Sequence, residues 1–228
     1  MGFTKGLVPS KIVPEKWWET PVIADPLALK PSDNDILLIV GDSTHVLDDL
    51  AAFIEICPDG FDTMAINYST KIIPWDIQHF IAGDSHMVDM QKIAQELPEE
   101  CLKHCWNPNS IGFNVRWLRN GRTGWNGTTA NLGIKIGIAL GYTRIVLAGI
   151  PMDDSGNWYC KFLPENDVKQ NKKHTNHLWK WNEIASRPIS RLLRSMSGNT
   201  AELLGTPTVE WIEEALNLKE RADAQASH

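Results

Sequence analysis

The sequence lacks the features that mark nucleic-acid-binding and membrane proteins. Its 22 lysines and arginines are outnumbered by 28 aspartates and glutamates, which gives a formal net charge of −6. A broad nucleic-acid surface needs a basic face, so we do not expect one. No apolar run reaches the roughly 18 residues of a membrane span. Pro9, Pro14 and Pro21 interrupt the segment where a signal peptide has its apolar region, and we therefore expect a cytoplasmic protein.

Two nucleotide-binding fingerprints and a complete zinc motif are also missing. The chain contains neither G-x-G-x-x-G nor G-x-x-x-x-G-K-[ST], so redox dinucleotide binding and P-loop phosphoryl transfer lose support. Cys101 and Cys105, with His104 between them, have the spacing of half a zinc site. No second ligand pair accompanies them. We predict reduced structural thiols and no bound metal.

The chain does contain alternating strand and helix patterns. Residues 36–40 form a continuous apolar run that ends at Gly41, as is typical of a strand buried on both faces of a parallel sheet. Helix N-cap residue types follow, and then a helical pattern over 45–56. The same reasoning predicts strands at 63–66, 78–82, 110–115 and 145–150, and helices at 86–97, 127–140, 174–193 and 207–221. This alternation implies parallel strands joined by right-handed crossovers.

The predicted fold is therefore α/β: a Rossmann-like, doubly wound, mainly parallel sheet with an extended N-terminal arm and a C-terminal helical extension. The expected parts are a proline-rich arm over 1–34, a nucleotide- or nucleotide-sugar-binding domain over 35–205, and a helix with a tail over 206–228. Most of the ten tryptophans are expected in the core. A few are expected in a ligand cleft or a homo-oligomer interface.

Polar residues follow four of the predicted strands, where ligands of open parallel sheets bind. The candidate binding residues at these strand ends are Gly41, Asp42, Ser43 and Thr44, then Asn67, then Asp84. The last strand end leads to Asp153, which is a candidate catalytic residue. The backbone N–H groups of the first turn can hold a phosphate at the start of a helix. The alternative is that Asp42 to Thr44 only cap that helix.

A second candidate region surrounds the start of the helix predicted at 127–140. Gly127 allows close approach of the backbone, and Thr128 and Thr129 can cap the helix and leave N–H groups facing a ligand. Arg122 precedes them and can contact a phosphate through two hydrogen bonds. A capped helix beside a solvated basic stretch is the alternative interpretation.

Two histidines are candidates for proton transfer. His174 and His177 follow a polar stretch, residues 153–170, that we predict to be a loop over the site. A histidine has the intrinsic pKa of a general acid or base near neutral pH. Asp153 and Asp154 are candidates to bind a metal, a ribose or an acceptor hydroxyl, or they form a solvated turn.

Taken together, these motifs resemble the bacterial sialyltransferases and the related motility-accessory-factor proteins. The closest stretch runs from Thr128-Thr129-Ala130 through Ala139-Leu140-Gly141-Tyr142 to the strand that ends in Gly149-Ile150. It is similar to the family's Ser-Gly helix, Ala-Leu-Gly-Tyr turn and strand ending Gly-Ile-Asp. The likeness covers about residues 35–180. The first turn departs from the family's Gly-x-Gly-Pro-Ser, and Pro151 stands where the family has Asp.

The resemblance implies a GT-A-type sheet that binds a CMP-linked or similar sugar donor. It places Gly41–Ser43, Asn67 and Thr129 against the nucleotide and makes His174 or His177 the general base. The leading prediction is thus a glycosyltransferase that moves a sugar from a nucleotide-sugar to an acceptor hydroxyl, with no further cofactor.

Two alternatives stay open. A pyrophosphokinase-like enzyme would need Mg²⁺ held by carboxylates such as Asp84, Asp153 and Asp154. A binding or assembly protein would keep the fold without the chemistry.

Overall fold

The computed structural model describes residues 29–106, 110–117, 128–158 and 177–214. Most of the predicted N-terminal arm, the greater part of the polar loop and the C-terminal tail lie outside the described residues. Within the described ranges, no helix has both the length and the apolar character of a membrane crossing.

Seven strands and five α-helices with both ends described follow one another in the part of the chain that the structure describes. The strands are β1 (Ile36–Val40), β2 (Phe61–Ile66), β3 (His79–Ile81), β4 (Leu102–Cys105), β5 (Val115–Arg116), β6 (Arg144–Ala148) and β7 (Leu193–Ser195). The helices are α1 (Val46–Ile56), α2 (Val88–Glu96), α3 (Thr129–Ala139), α4 (Leu178–Ala185) and α5 (Gly198–Leu204). Short 3-10 helices cover Asn67–Lys71 and Pro188–Leu192.

The strands form one parallel sheet in the order β5-β4-β3-β2-β1-β6-β7. The chain adds β2 to β5 on one side of β1 and then places β6 and β7 on the other side. This reversal confirms the predicted α/β, Rossmann-like, doubly wound fold. In such sheets the reversal point is where ligands bind, beyond the carboxyl ends of the two strands that flank it. Here those strands are β1 and β6.

The chain divides into two compact units, which we describe separately. Unit 1 contains Ile39–Gly41 and Asp62–Gly141, and unit 2 contains Asn34–Leu38, Asp42–Phe61 and the chain from Tyr142 onward.

Apolar burial explains why β1 and α3 form where they do. All five residues of β1 are fully buried, as the uninterrupted apolar run predicts. In unit 1, α3 packs close to the sheet through Gly133. A Cβ atom on Gly133 would lie 3.0 Å from Met64 Sδ and 3.3 Å from Ile39 Cδ1. The absence of a side chain at Gly133 therefore lets this face of α3 pack close to the sheet.

The prediction of a strand over residues 110–115 is largely wrong. The strand in this region is β4, at Leu102–Cys105, and β5 has only two residues. The sequence pattern missed β4 because it carries the polar residues Lys103 and His104, although both are buried. Asn114 lies within the range of the predicted strand. Its side chain accepts from the N–H of Lys103 in β4 (2.7 Å) and donates to the carbonyl of Cys101, directly before β4 (3.0 Å).

The prediction of one long helix over 174–193 is also wrong in its extent. Helix α4 ends at Ala185, Pro188 begins a 3-10 helix, and β7 follows directly. Proline lacks the N–H that would continue an α-helix, which explains the break.

The last helix begins later than the predicted Thr206-Pro207 start. Its described part covers 209–214, and Thr208 caps it by accepting from the N–H of Trp211 at 3.2 Å. The ring of Trp211 lies 4.9 Å from the guanidinium carbons of both Arg144 and Arg194, so cation–π contacts hold this segment.

Two histidines of unit 1 lie in a buried chain of hydrogen bonds. Trp117 Nε1 donates to His104 Nδ1 at 3.0 Å, and His104 Nε2 lies 3.0 Å from His79 Nδ1. An indole nitrogen only donates, so His104 accepts at Nδ1 and its hydrogen is on Nε2. His104 then donates to His79, which carries its own hydrogen on Nε2. This assignment requires both rings to be neutral.

Acid is therefore expected to weaken the fold. Burial lowers the pKa of His79 to about 4 and holds the pKa of His104 well below its usual value. The unfolded chain takes up these protons near pH 6.5, and the folded state does not. The stability contribution is therefore complete above about pH 6.5 and falls as the pH decreases toward about 4.

Proton NMR checks this expectation. The ring signals of His79 and His104 should keep their neutral positions as the pH falls from about 7.5 to about 5, whereas the urea-unfolded chain should titrate near 6.5. Titration of either ring near pH 6.5 in the folded protein would contradict the assignment.

Candidate functional site

In unit 1, the ends of β1 and β2 are joined by a buried serine. Ser69 Oγ donates to the carbonyl of Val40 at 2.8 Å and accepts from the N–H of Ile66 at 2.9 Å. Asn67 lies at the turn that makes this possible, with a φ of +52°. Asparagine tolerates this left-handed conformation better than most residues. The predicted binding residue Asn67 therefore stands at the carboxyl end of its strand.

The start of α3 packs against the end of β3 in the same unit. A Cβ atom on Gly83 would lie 2.6 Å from Thr129 Oγ1 and 3.8 Å from Trp106 Cη2. Only glycine fits there without displacing the threonine. The fold thus brings together two regions that the sequence analysis predicted separately, the turn that contains Asp84 and the helix start at Thr128-Thr129.

The first turn of α3 has buried polar atoms without partners. Among the described residues, five buried side-chain atoms lack a hydrogen bond: Arg116 Nε, Thr128 Oγ1, Asn131 Nδ2, Asn131 Oδ1 and Trp181 Nε1. Three of the five belong to Thr128 and Asn131. Thr128 is at the N-cap position of α3, yet its hydroxyl makes no capping bond, and Asn131 is only 4% exposed. Leaving such a group unsatisfied costs about 1–3 kcal/mol.

Three other predicted binding residues belong to unit 1, and the structure describes one of them. Asp84 follows β3 and is exposed, while Ser85 beside it is buried and accepts from Ser110 Oγ at 2.7 Å. Arg122 and Gly127 lie outside the described residues.

In unit 2, the turn after β1 does not offer its backbone N–H groups to a ligand. Ser43 N donates to the carbonyl of Gly149 (3.2 Å), and Thr44 N to that of Gly156 (3.1 Å). The next two N–H groups bond to Ser43 itself, at its hydroxyl and its carbonyl. The N–H groups of residues 43 to 46 are therefore used within the protein, and a ligand contact at Gly41 or Asp42 stays a prediction. The turn instead anchors residues 149–158, which begin where β6 ends.

A buried aspartate of α1 holds the ends of two other strands in this unit. Asp49 Oδ2 accepts from the N–H of Gly149, after β6, and from the hydroxyl of Ser197, after β7, both at 2.7 Å. Burial raises the pKa of Asp49, and the two hydrogen bonds and the nearby His45 oppose that rise. Asp49 therefore connects α1 to the carboxyl ends of β6 and β7.

Beside this aspartate, a histidine faces the predicted catalytic aspartate. His45 Nε2 lies 3.2 Å from Asp153 Oδ2, and the two side chains are 40% and 27% exposed. Burial opposes ionisation of Asp153, but hydrogen bonds from Ser155 and the charge of His45 outweigh it and lower its pKa. The pair is accessible to solvent and stands at the reversal point of the sheet.

Two residues of α5 bind the backbone that leads to Asp153. Thr200 binds the carbonyls of Ile150 and Pro151, and Asn199 Nδ2 donates to that of Met152 at 2.8 Å. Met152 has a φ of +52°, unusual for a residue with a side chain. Such strain persists only where the surroundings fix it, and it is concentrated at functional sites.

Asp42 is a third carboxyl group of unit 2 with a shifted pKa. Burial raises its pKa to about 6, although its own backbone N–H counteracts part of the rise. Shifted carboxyl groups are common where proton transfer takes place. Asp42 also accepts a backbone hydrogen bond from Trp158 through its carbonyl.

The structure changes which histidine is the candidate for proton transfer. His174 lies outside the described residues, and His177 precedes α4. The histidine that pairs with Asp153 is His45, which the sequence analysis treated only as the first residue of a helix. Its position directly after Asp42-Ser43-Thr44 was the available signal, since that turn follows a central strand.

Metal and thiol chemistry gain no support within the described ranges. No three His, Cys, Asp or Glu side chains there gather in an arrangement that could hold a metal ion. Cys57, Cys101 and Cys105 are buried free thiols, as predicted, and burial raises the pKa of each. Cys160 lies outside the described residues.

Comparison with known proteins does not assign a family. No protein-family model matches the sequence, and no curated protein matches it. The resemblance to sialyltransferases therefore stays a prediction.

The role of Asp49 in unit 2 can be tested by measuring the unfolding free energy of a variant that lacks its carboxylate. Asp49→Ala leaves the N–H of Gly149 and the hydroxyl of Ser197 without an acceptor, so it should cost roughly 1–3 kcal/mol of unfolding free energy. Asp48→Ala is the matched control, because Asp48 is exposed on the same helix turn and should change stability by less than about 0.5 kcal/mol. Urea unfolding measures both, and equal losses would contradict the role.

Proposed function

We propose that the chain is a transferase that binds a nucleotide-sugar and moves the sugar to an acceptor hydroxyl. The doubly wound parallel sheet supports this proposal, since such sheets bind nucleotides beyond their strand ends. The observation that carries it is the pair of unpartnered side chains, Thr128 and Asn131, in the first turn of α3.

A ligand explains why these polar atoms are buried without a partner. Protein interiors satisfy nearly all buried polar groups, so an orphaned amide calls for a missing partner. Asn131 presents one acceptor and two donor hydrogens, and Thr128 presents a hydroxyl that can donate and accept. A nucleobase or ribose offers complementary groups. We therefore assign Asn131 and Thr128 to the nucleoside.

The helix end itself suits the phosphate. The first N–H groups of a helix have no partners within the helix and lie at the positive end of its dipole. Helix α3 has eleven residues and carries no acidic residue in its first turn that would repel an anion. Thr129, held against Gly83, offers a further hydroxyl at this end. A phosphorylated nucleoside thus matches the position better than a neutral sugar does.

Asn131→Leu tests the proposal. Leucine is similar in volume and removes the unsatisfied amide, so the variant should be as stable as wild type or more stable by about 1 kcal/mol. Nucleotide binding should weaken at least about tenfold, because one hydrogen-bonded contact is worth on the order of 1.4 kcal/mol. Thermal shift and calorimetry with CMP, UDP, GDP and their sugar conjugates measure both quantities.

Asn114→Leu is the matched control. Both polar atoms of Asn114 have protein partners, Lys103 of β4 and Cys101 directly before it, so this variant should lose stability and keep its intrinsic nucleotide affinity. The proposal fails if no nucleotide or nucleotide-sugar binds to the wild type. It also fails if Asn131→Leu binds as tightly as wild type.

A further inference from the structure

We propose that Lys135 of α3 binds the phosphate of the nucleotide, so that the site selects a nucleotide over the free nucleoside. This inference rests on the proposed function, because it concerns the phosphate of the same ligand whose nucleoside we assign to Asn131 and Thr128. Its basis is the placement of these three polar residues in one row along α3, a helix of unit 1.

Helical spacing brings Thr128, Asn131 and Lys135 to one face of α3. They are three and four residues apart in the sequence, and residues at these spacings lie above one another on a helix. Gly133, through which α3 packs close to the sheet, lies on the opposite side of the helix. The contacts of α3 with the sheet therefore do not account for this polar row.

The polar row also differs from the solvated face of an ordinary surface helix. Asn131 is only 4% exposed and Lys135 only 5% exposed, although both residue types are mostly exposed in folded proteins. Neither polar atom of the Asn131 side chain has a hydrogen-bond partner. A buried cation beside such an amide is the arrangement of a polar binding site, because buried polar groups are otherwise satisfied within the protein.

The length of the lysine side chain brings its charge to the first turn of α3. Residues 131 and 135 are four positions apart, which is about 6 Å along a helix axis. Side chains on a helix lean toward its N-terminus, and an extended lysine spans a similar length. The ammonium of Lys135 can therefore reach the level of Asn131 and of the first N–H groups of the helix, where we place the phosphate.

Burial strengthens the attraction between this ammonium and an anion. Burial lowers the pKa of Lys135 to about 8, so the side chain is mostly protonated near neutral pH. Opposite charges attract each other more strongly in surroundings of low dielectric constant than in water. A phosphate therefore gains binding free energy from Lys135, whereas a neutral nucleoside gains none from its charge.

The test compares nucleosides with their 5′-monophosphates as ligands of wild type and of Lys135→Met. The probes are cytidine and CMP, uridine and UMP, and guanosine and GMP, measured by calorimetry, with competition against the tighter ligand for weak binders. Methionine keeps an unbranched chain and removes the charge. Lys135→Met should therefore weaken binding of the monophosphate by about 10- to 100-fold and leave the affinity for the nucleoside nearly unchanged.

The ratio of the two affinities separates a phosphate contact from a structural role. Asn131→Leu should weaken binding of the nucleoside and of the monophosphate by the same factor, because both ligands carry the nucleoside. A purely structural role of Lys135 would also lower both affinities together. Only loss of a phosphate contact changes the ratio.

Lys103→Met is the matched control. Lys103 is also a buried lysine of unit 1, 7% exposed, and its ammonium donates to the carbonyl of Leu97 at 3.0 Å. This variant should keep the wild-type ratio of the two affinities. Melting temperatures show whether each variant is folded, and Lys135→Gln replaces Lys135→Met if the methionine variant does not fold.

The outcomes separate this inference from the proposed function. A wild-type ratio of monophosphate to nucleoside affinity in the charge-free variant of Lys135 overturns the role of this lysine, while nucleotide binding stands. A wild-type protein that binds a nucleoside as tightly as its monophosphate overturns that role without any variant. A wild-type protein that binds no nucleotide or nucleotide-sugar overturns the proposed function and this inference with it.

Discussion

A parallel sheet places the carboxyl ends of all its strands at one edge, and this constraint determines where polar residues can gather in the protein. Strand β1 has five fully buried residues, so its chain can meet solvent only where the strand stops. The polar turn that follows β1 and the loop that follows β6 start at the reversal of strand order, where the next connections leave in opposite directions. His45 and Asp153 come into contact because backbone hydrogen bonds join the turn after β1 to the loop after β6.

Buried polar groups in this fold divide into two kinds. His104, Asp49 and Ser69 all have protein partners that use their donors or acceptors, and each ties together strand ends or neighbouring strands. Their role is structural, since removing any of them leaves a partner unsatisfied. Thr128 and Asn131 have no such partners within the described residues. Natural proteins accept this kind of local cost mainly where function requires it.

The sequence predicted those elements whose buried residues form a recognisable apolar pattern. β1, β6 and α3 were expected within one or two residues of their observed bounds. It failed at β4, because Lys103 and His104 look solvent-exposed until the hydrogen bonds of His104 to His79 and Trp117 are known. For the site, strand-end positions were predictable, since they follow from the sheet. The partner of Asp153 was not, because residues 45 and 153 are far apart in sequence and meet only through tertiary contacts.

Two of the ion pairs of unit 2 differ in what holds their partners in place. Glu183 and Arg187 are 2.9 Å apart, closer than His45 and Asp153, yet they are only four residues apart at the end of α4, and exposed pairs at this spacing are worth only a few tenths of a kcal/mol. Asp153 is instead held by the strained segment at Met152 and by Ser155, and these contacts do not involve the histidine. A pair whose geometry is fixed by its surroundings can stay oriented while its protonation changes.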